Sequence, residues 1–135
     1  MRFFVKHFKW IMLVSGFLTC TMFTGLFAPQ YLVESNFGEA IEGAAAEIIV
    51  RNWSALIGLM GIMLIAGALD RSIRKFCLII AGISKLIFIM LVLSTGRSYL
   101  GQGIGTAVIV DSIMIILYAA YLAMSALPQL KHSAG

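Results

Sequence analysis

Two ionisable residues, Lys85 and Asp111, interrupt sequence that is otherwise apolar enough to span a membrane. An ammonium or carboxylate at membrane depth is costly, so such groups face a bundle interior and find a partner there. A paired centre of this kind offers two chemistries: it can bind the polar head of a ligand, or it can exchange protons during transport. It can also do no chemistry and act as a lock that fixes the register of two helices. Ser84 beside Lys85, and Tyr118 two turns beyond Asp111, extend the candidate polar site.

Depth and facing agree with a pair. Lys85 lies ten residues before Thr95, and Asp111 lies eight residues after Gly103. At ~1.5 Å per residue both sit ~12–15 Å from the same end of their helices, close to the middle of a hydrocarbon core ~30 Å thick. Lys85 shares a helical stripe with Leu78, Ala81, Gly82, Phe88, Ile89 and Val92. Asp111 shares one with Ala107, Met114, Ile115 and Tyr118. Antiparallel neighbours can therefore bring the two together. Snorkelling does not replace this pairing, because an Asp side chain is too short to reach an interface from that depth.

The elements that must position these residues follow from composition. The 135 residues are 61% hydrophobic and 12% charged, whereas a soluble domain carries about 25% charge. Four apolar stretches, residues 10–28, 52–69, 76–95 and 103–127, each approach the ~20 residues needed to cross a bilayer. None alternates with period two, which excludes a membrane β-barrel. The expected fold is all-α: one domain, an antiparallel bundle of four transmembrane helices.

Charge distribution orients the bundle. Arg2, Lys6 and Lys9 precede the first stretch, Arg71, Arg74 and Lys75 join the second to the third, and Lys131 follows the fourth. The other side holds Arg51 and Arg97 against Glu34, Glu39, Glu42 and Glu47. The positive-inside rule then predicts cytoplasmic termini. The net charge of +4 is a topology signal, and no nucleic-acid partner is expected. The first stretch is too long for a signal-peptide core and lacks an A-x-A-like site. Cys20 is followed by more membrane sequence, which argues against a lipoprotein cysteine. Cys20 at mid-membrane and Cys77 near the cytoplasmic face are too far apart to bridge.

Residues 30–51 form the one sizeable connection. Asn36 followed by Glu39 resembles a helix start, so a short interfacial helix leads into the second span or extends it outward. Glu47 and Arg51, four apart in the favourable order, form a candidate ion pair at the outer mouth. Gly16, Cys20 and Thr24 make a small-residue stripe suited to packing within the bundle or to a dimer seam, and Ser54, Gly58, Gly61 and Ala66 make another. Gly101, Gly103 and Gly105 predict loosened backbone where the fourth helix begins.

Other chemistries lack their residues. His7 and His132 are the only histidines and lie outside the spans, so no haem pair and no zinc or copper cluster is expected. Ser84 and Lys85 are adjacent and point apart on a helix, which excludes a Ser–Lys dyad. The eight Met residues, Met60, Met63, Met90 and Met114 among them, suit adaptable packing or the lining of an apolar pocket rather than a copper relay. No catalytic residue, cofactor or metal ligand is assigned.

The layout of four spans, a long first outer connection, a short basic turn and two polar-interrupted helices resembles the DoxX-like small bacterial membrane proteins. Residues 51–61, Arg-Asn-Trp-Ser-Ala-Leu-Ile-Gly-Leu-Met-Gly, look most like a family signature, with Lys85 and Asp111 as accompanying positions. The resemblance implies a non-enzymatic protein of the bacterial inner membrane, surrounded by lipid. It would be an accessory or assembly partner of a larger complex, or bind a hydrophobic molecule such as a lipid or quinone. A small proton-coupled transporter, dimeric or not, is the alternative. The chain is similar in size to small multidrug exporters, but residues 10–28 lack the glutamate of that pattern.

Overall fold

A chain crossing lipid must satisfy its backbone polar groups internally, and this one does so with helices throughout. The structure, a computed structural model, describes the backbone from Arg2 to Ala134 and the side chains of residues 3–126. The side chains of Arg2, Lys131 and His132 lie outside that description. Helix α1 (Arg2–Cys20) continues through a 3-10 turn (Thr21–Phe23) into α2 (Thr24–Phe27). The hydroxyls of Thr21 and Thr24 donate to the carbonyls of Leu18 and Thr21, the local back-bonding that distorts a helix. Ala28 leaves helical geometry, and Pro29 opens α3 (Pro29–Phe37) from the position where its missing N–H costs nothing. Next come α4 (Ala44–Leu69), α5 (Arg71–Thr95), a 3-10 turn (Arg97–Tyr99) and α6 (Gly103–Ala134).

Four segments are long and apolar enough to cross a membrane: Phe3–Phe27, Ala44–Leu69, Arg71–Thr95 and Gly103–Ala126. Their number, length and composition are those of a multi-pass membrane protein. The crossing helices pack in chain order around a ring, α1 on α4, α4 on α5, α5 on α6 and α6 back on α1. Both chain ends lie at one end of the bundle, and α3 lies across the other, against α2, α4 and α6.

Several expected boundaries move. The first three crossing helices begin at residues 2, 44 and 71 rather than 10, 52 and 76, and the last runs past 127. Hydropathy detects where lipid contact begins, whereas the helix continues through its polar flanks. The second span does extend outward. The short helix lies upstream of the expected start at Asn36, which instead sits near a helix end. Its Nδ2 donates to Leu32 O at 2.9 Å, and Gly38 stops the helix with φ +72°, a conformation glycine adopts without penalty.

The hairpin between α4 and α5 is a single residue, Asp70. Asp70 Oδ1 accepts from Ser72 N at 2.9 Å and from Ser72 Oγ at 2.6 Å, capping α5. Arg74, expected only to mark the basic turn, is 4% exposed. Its guanidinium donates to the carbonyls of Gly67 (2.9 Å) and Ala68 (2.6 Å), groups that the last turn of α4 leaves unpaired. The hydrogen bonds from Ser72 hold the Asp70 carboxyl below its ordinary range. The cap therefore contributes fully above the usual carboxylate pKa and fades as pH falls through the depressed one. Asp70→Ala should lower the melting temperature at neutral pH, and the difference from wild type should shrink in acid.

Of the small-residue stripe Gly16, Cys20 and Thr24, the first two are used inside the bundle, whereas Thr24 is exposed and its hydroxyl turns back to Thr21 O. A Cβ on Gly16 would stand 2.8 Å from Gly61 O, and one on Gly61 would stand 2.7 Å from Gly16 O. Cys20 Sγ donates to Gly58 O at 3.7 Å. Ser54, Gly58 and Gly61 are buried as the spacing suggests, but Ala66 is exposed, and Gly67 and Ala68 take the inward positions. Cys20 and Cys77 are free thiols. Gly103 and Gly105 serve close approach rather than loosened backbone. A Cβ on Gly103 would meet Ser35 O at 2.5 Å, so α3 and the first turn of α6 touch through backbone.

The core is unevenly filled. Phe8, Met12, Leu64, Leu78, Met114 and Tyr118 pack solidly toward the end that holds the termini. There Phe8 stacks on Tyr121 at 4.2 Å between centroids. Toward the α3 end the helices enclose space.

Candidate functional site

Helix α5 buries one stripe: Arg74, Cys77, Leu78, Ala81, Lys85, Ile89 and Val92. The three- and four-residue steps of that stripe carry Lys85 into the bundle with its apolar neighbours. Helix α6 runs the opposite way beside it, and the tight turn at 97–99 sets the register. Lys85 Nζ donates to Asp111 Oδ1 at 2.8 Å. Lys85 is 9% exposed, and the Asp111 side chain 19%. The two residues singled out by type and depth are thus in contact.

They lie on the wall of a cavity of about 470 Å³, within the range of small-molecule sites. Every crossing segment contributes to it. Leu18, Leu32, Ile57, Phe88, Ile104 and Val110 are among its apolar surfaces, and Met114, Leu64 and Ala81 lie where it meets the packed core. Thr19, Thr24, Asn36, Ser84 and Thr106 add neutral polar groups. The pair is not saturated. An ammonium has three N–H donors, and Asp111 accepts one of them. Asp111 Oδ2 has no hydrogen-bond partner among the described residues, and Asp111 lies on the cavity wall.

Ser84 joins Lys85 on this wall, though the two residues are adjacent in sequence. Tyr118 does not. It is buried in the core, where its hydroxyl shares a short hydrogen bond with Ser15 Oγ. Ser15 Oγ also donates to Met114 Sδ at 3.2 Å, and Thr19 Oγ1 donates to Ser15 O at 2.7 Å. This hydroxyl cluster was not singled out from the sequence. Its signal was present: Phe8, Met12, Ser15 and Thr19 recur at helical spacing and share the buried face of α1.

Glu47 and Arg51 form their ion pair, at 2.7 Å with side chains 43% and 46% exposed. Neither lies on a cavity wall. A pair so exposed is worth little, and it is apart from the central site. No group of three or more His, Cys, Asp or Glu that could hold a metal occurs among the described residues.

Comparison with protein families, curated proteins and solved structures finds no match. Residues 51–61 all lie on α4. Their positions have a physical reading in this fold. Trp53, Ile57 and Met60 face the cavity, while Ser54, Gly58 and Gly61 form the buried seam with α1 and α2. One helical segment supplies both a wall of the site and the close contact that holds the wall in place.

Proposed function

We propose that this protein is a non-enzymatic bacterial inner-membrane protein that holds a hydrophobic small molecule, a lipid or quinone, in its central cavity. Lys85 and Asp111 would anchor the polar end of that molecule. The observation that carries this reading is an unsaturated ion pair on the wall of a largely apolar cavity. At membrane depth the spare ammonium hydrogens and the free carboxylate oxygen require a partner, and a bound polar head supplies one while its apolar part fills the cavity.

The charge pattern supports an orientation with both termini in the cytoplasm. Lys6, Lys9, Arg71 and Lys75 flank the terminal end of the bundle, and the glutamates cluster around α3. Binding is placed ahead of an accessory or assembly role because the cavity gives it a specific observation. Binding is placed ahead of proton-coupled transport because Lys85 and Asp111 hold each other in one ion pair, and the cluster of Thr19, Ser15 and Tyr118 that runs on from the cavity wall carries no carboxylate, ammonium or imidazole to relay a proton.

The test is stability on adding back lipid. Purified protein, stripped of co-purified lipid, should be stabilised by the neutral-lipid fraction of its own membrane. A ligand at 100 times its Kd contributes about 2.7 kcal/mol. The Lys85→Leu/Asp111→Leu variant should show no such gain. Equal stabilisation of both proteins would mean that the lipid acts on the outer surface and not at this site.

A further inference from the structure

A second, more open pocket of about 520 Å³ lies toward the α3 end among α3, α4, α5 and the 97–99 turn, with the exposed residues Glu39, Leu91 and Thr95 in its lining. Its walls are mainly apolar, with Val33, Phe37, Val50, Leu91 and Val92 among them. Tyr99 stands at its edge, where its hydroxyl donates to Glu39 Oε1 at 2.7 Å and its ring meets Phe37 edge-on. Two side chains, Trp53 and Phe88, belong to the walls of both cavities. They stand between the pocket that holds the ion pair and the open, mainly apolar one. Phe88 is one helical turn beyond Lys85, and Thr95, on the far wall, is ten residues beyond it. Along α5 this places Phe88 ~5 Å from the ion pair and the end of the second pocket ~15 Å away.

We infer that the two pockets form one divided site for a single-chain amphiphile with an uncharged head, the head at Lys85–Asp111 and the chain passing Trp53 and Phe88 into the second pocket. The inference rests on the binding reading above and specifies its ligand. The charge of the head follows from balance. The ammonium and carboxylate already neutralise each other, so a charged head would leave one uncompensated charge at membrane depth. A hydroxyl meets both spare valences of the pair. Its oxygen accepts from Lys85 Nζ, and its hydrogen is donated to Asp111 Oδ2. Nearby Ser84 and Thr106 are neutral as well. The shape of the chain follows from the walls: apolar lining continues from the first pocket to the second past two aromatic side chains, Trp53 and Phe88, suited to contact with a flexible chain.

The two tryptophans make the inference measurable. Trp53 stands between the two pockets, whereas Trp10 is 61% exposed on the apolar outer surface of α1. Trp10→Phe leaves Trp53 as the sole reporter, and Trp53→Phe leaves Trp10 to report probe dissolved in bulk lipid. Both proteins, stripped of co-purified lipid and placed in nanodiscs, would be titrated with octadecanol dibrominated at mid-chain, and with the permanently anionic sulfate ester of the same chain. Bound probe would be counted in parallel by native mass spectrometry. The expected result is a saturating loss of Trp53 emission with the alcohol and a shallow, non-saturating loss for Trp10. The sulfate ester should quench Trp53 no more than it quenches Trp10. Adding Lys85→Leu/Asp111→Leu to the Trp53 reporter should remove the saturating phase.

Stoichiometric retention of the alcohol without quenching of Trp53 would overturn the divided site and leave the binding reading intact. Equal or tighter retention of the sulfate ester would overturn the uncharged head. If neither probe is retained, the binding reading fails together with the inference.

Discussion

Lys85→Met is expected to cost the protein about 3–5 kcal/mol, the usual penalty for leaving one member of a buried ion pair without its partner. The Asp111 carboxylate would then face a largely apolar cavity with no countercharge, since its hydrogen bond from Lys85 is the one it accepts from the described residues. Replacing both residues, Lys85→Leu/Asp111→Leu, should instead melt near or above the wild type. Apolar substitutes of similar volume remove the desolvation cost of two ions along with their attraction. Thermal or denaturant unfolding in detergent would read both effects. A single variant as stable as the double one would mean that the pair contributes no coupling. The double variant also separates a lock from a site: a lock leaves it folded and still able to retain ligand, whereas a site leaves it folded and empty.

The second large effect lies at the seam between α1 and α4. The Cβ that Gly61→Val adds would come within 2.7 Å of Gly16 O, Cys20 N and Cys20 Sγ. Two of these are backbone atoms and cannot turn aside, so the helices must separate. Overpacking of this kind costs about 1–3 kcal/mol, and here it would also displace Ile57 and Met60 from the cavity wall. The melting temperature should fall, and ligand retention should weaken with it. Gly82→Ala is the matched control. Nothing lies within 4 Å of its added Cβ, and alanine is favoured over glycine in a helix interior by about 1 kcal/mol. It should be neutral or stabilising. If Gly61→Val were equally harmless, the seam would be looser than this packing requires.

The ion pair was legible in the sequence because ionic side chains are rare in these helices. Counting back from a short turn fixes the depth of Lys85 and Asp111, and the stripe through Leu78, Ala81, Ile89 and Val92 fixes the facing of Lys85. The small-residue seam was legible in the same way, apart from Ala66, which a small shift in helix phase turns outward, and Thr24, which the 3-10 turn at 21–23 leaves exposed. Tyr118 was recognised as inward-facing, but its partner lies on α1, 103 positions away in sequence. No local pattern reports so remote a contact.

The cavities were legible only through the methionines, whose suitability for an apolar pocket agrees with Met60 and Met114 on the central wall. The cavities themselves are spaces left where α3 crosses the bundle end, and an absence of side chains has no sequence signature. The helix near Asn36 was misplaced because a local capping pattern competes with stronger signals, Pro29 at one end and Gly38 at the other. The charge of Arg74 was read as topology alone, since nothing local shows that its guanidinium turns back to close α4.

The most direct test of the binding reading is native mass spectrometry of the protein, extracted gently from its own membrane and compared with Lys85→Leu/Asp111→Leu. The expected wild-type spectrum shows one small hydrophobic molecule per chain, released on activation and missing from the double variant. A wild-type chain that is bare, or that holds the same molecule after both charges are gone, would contradict the reading and leave Lys85–Asp111 as a register lock.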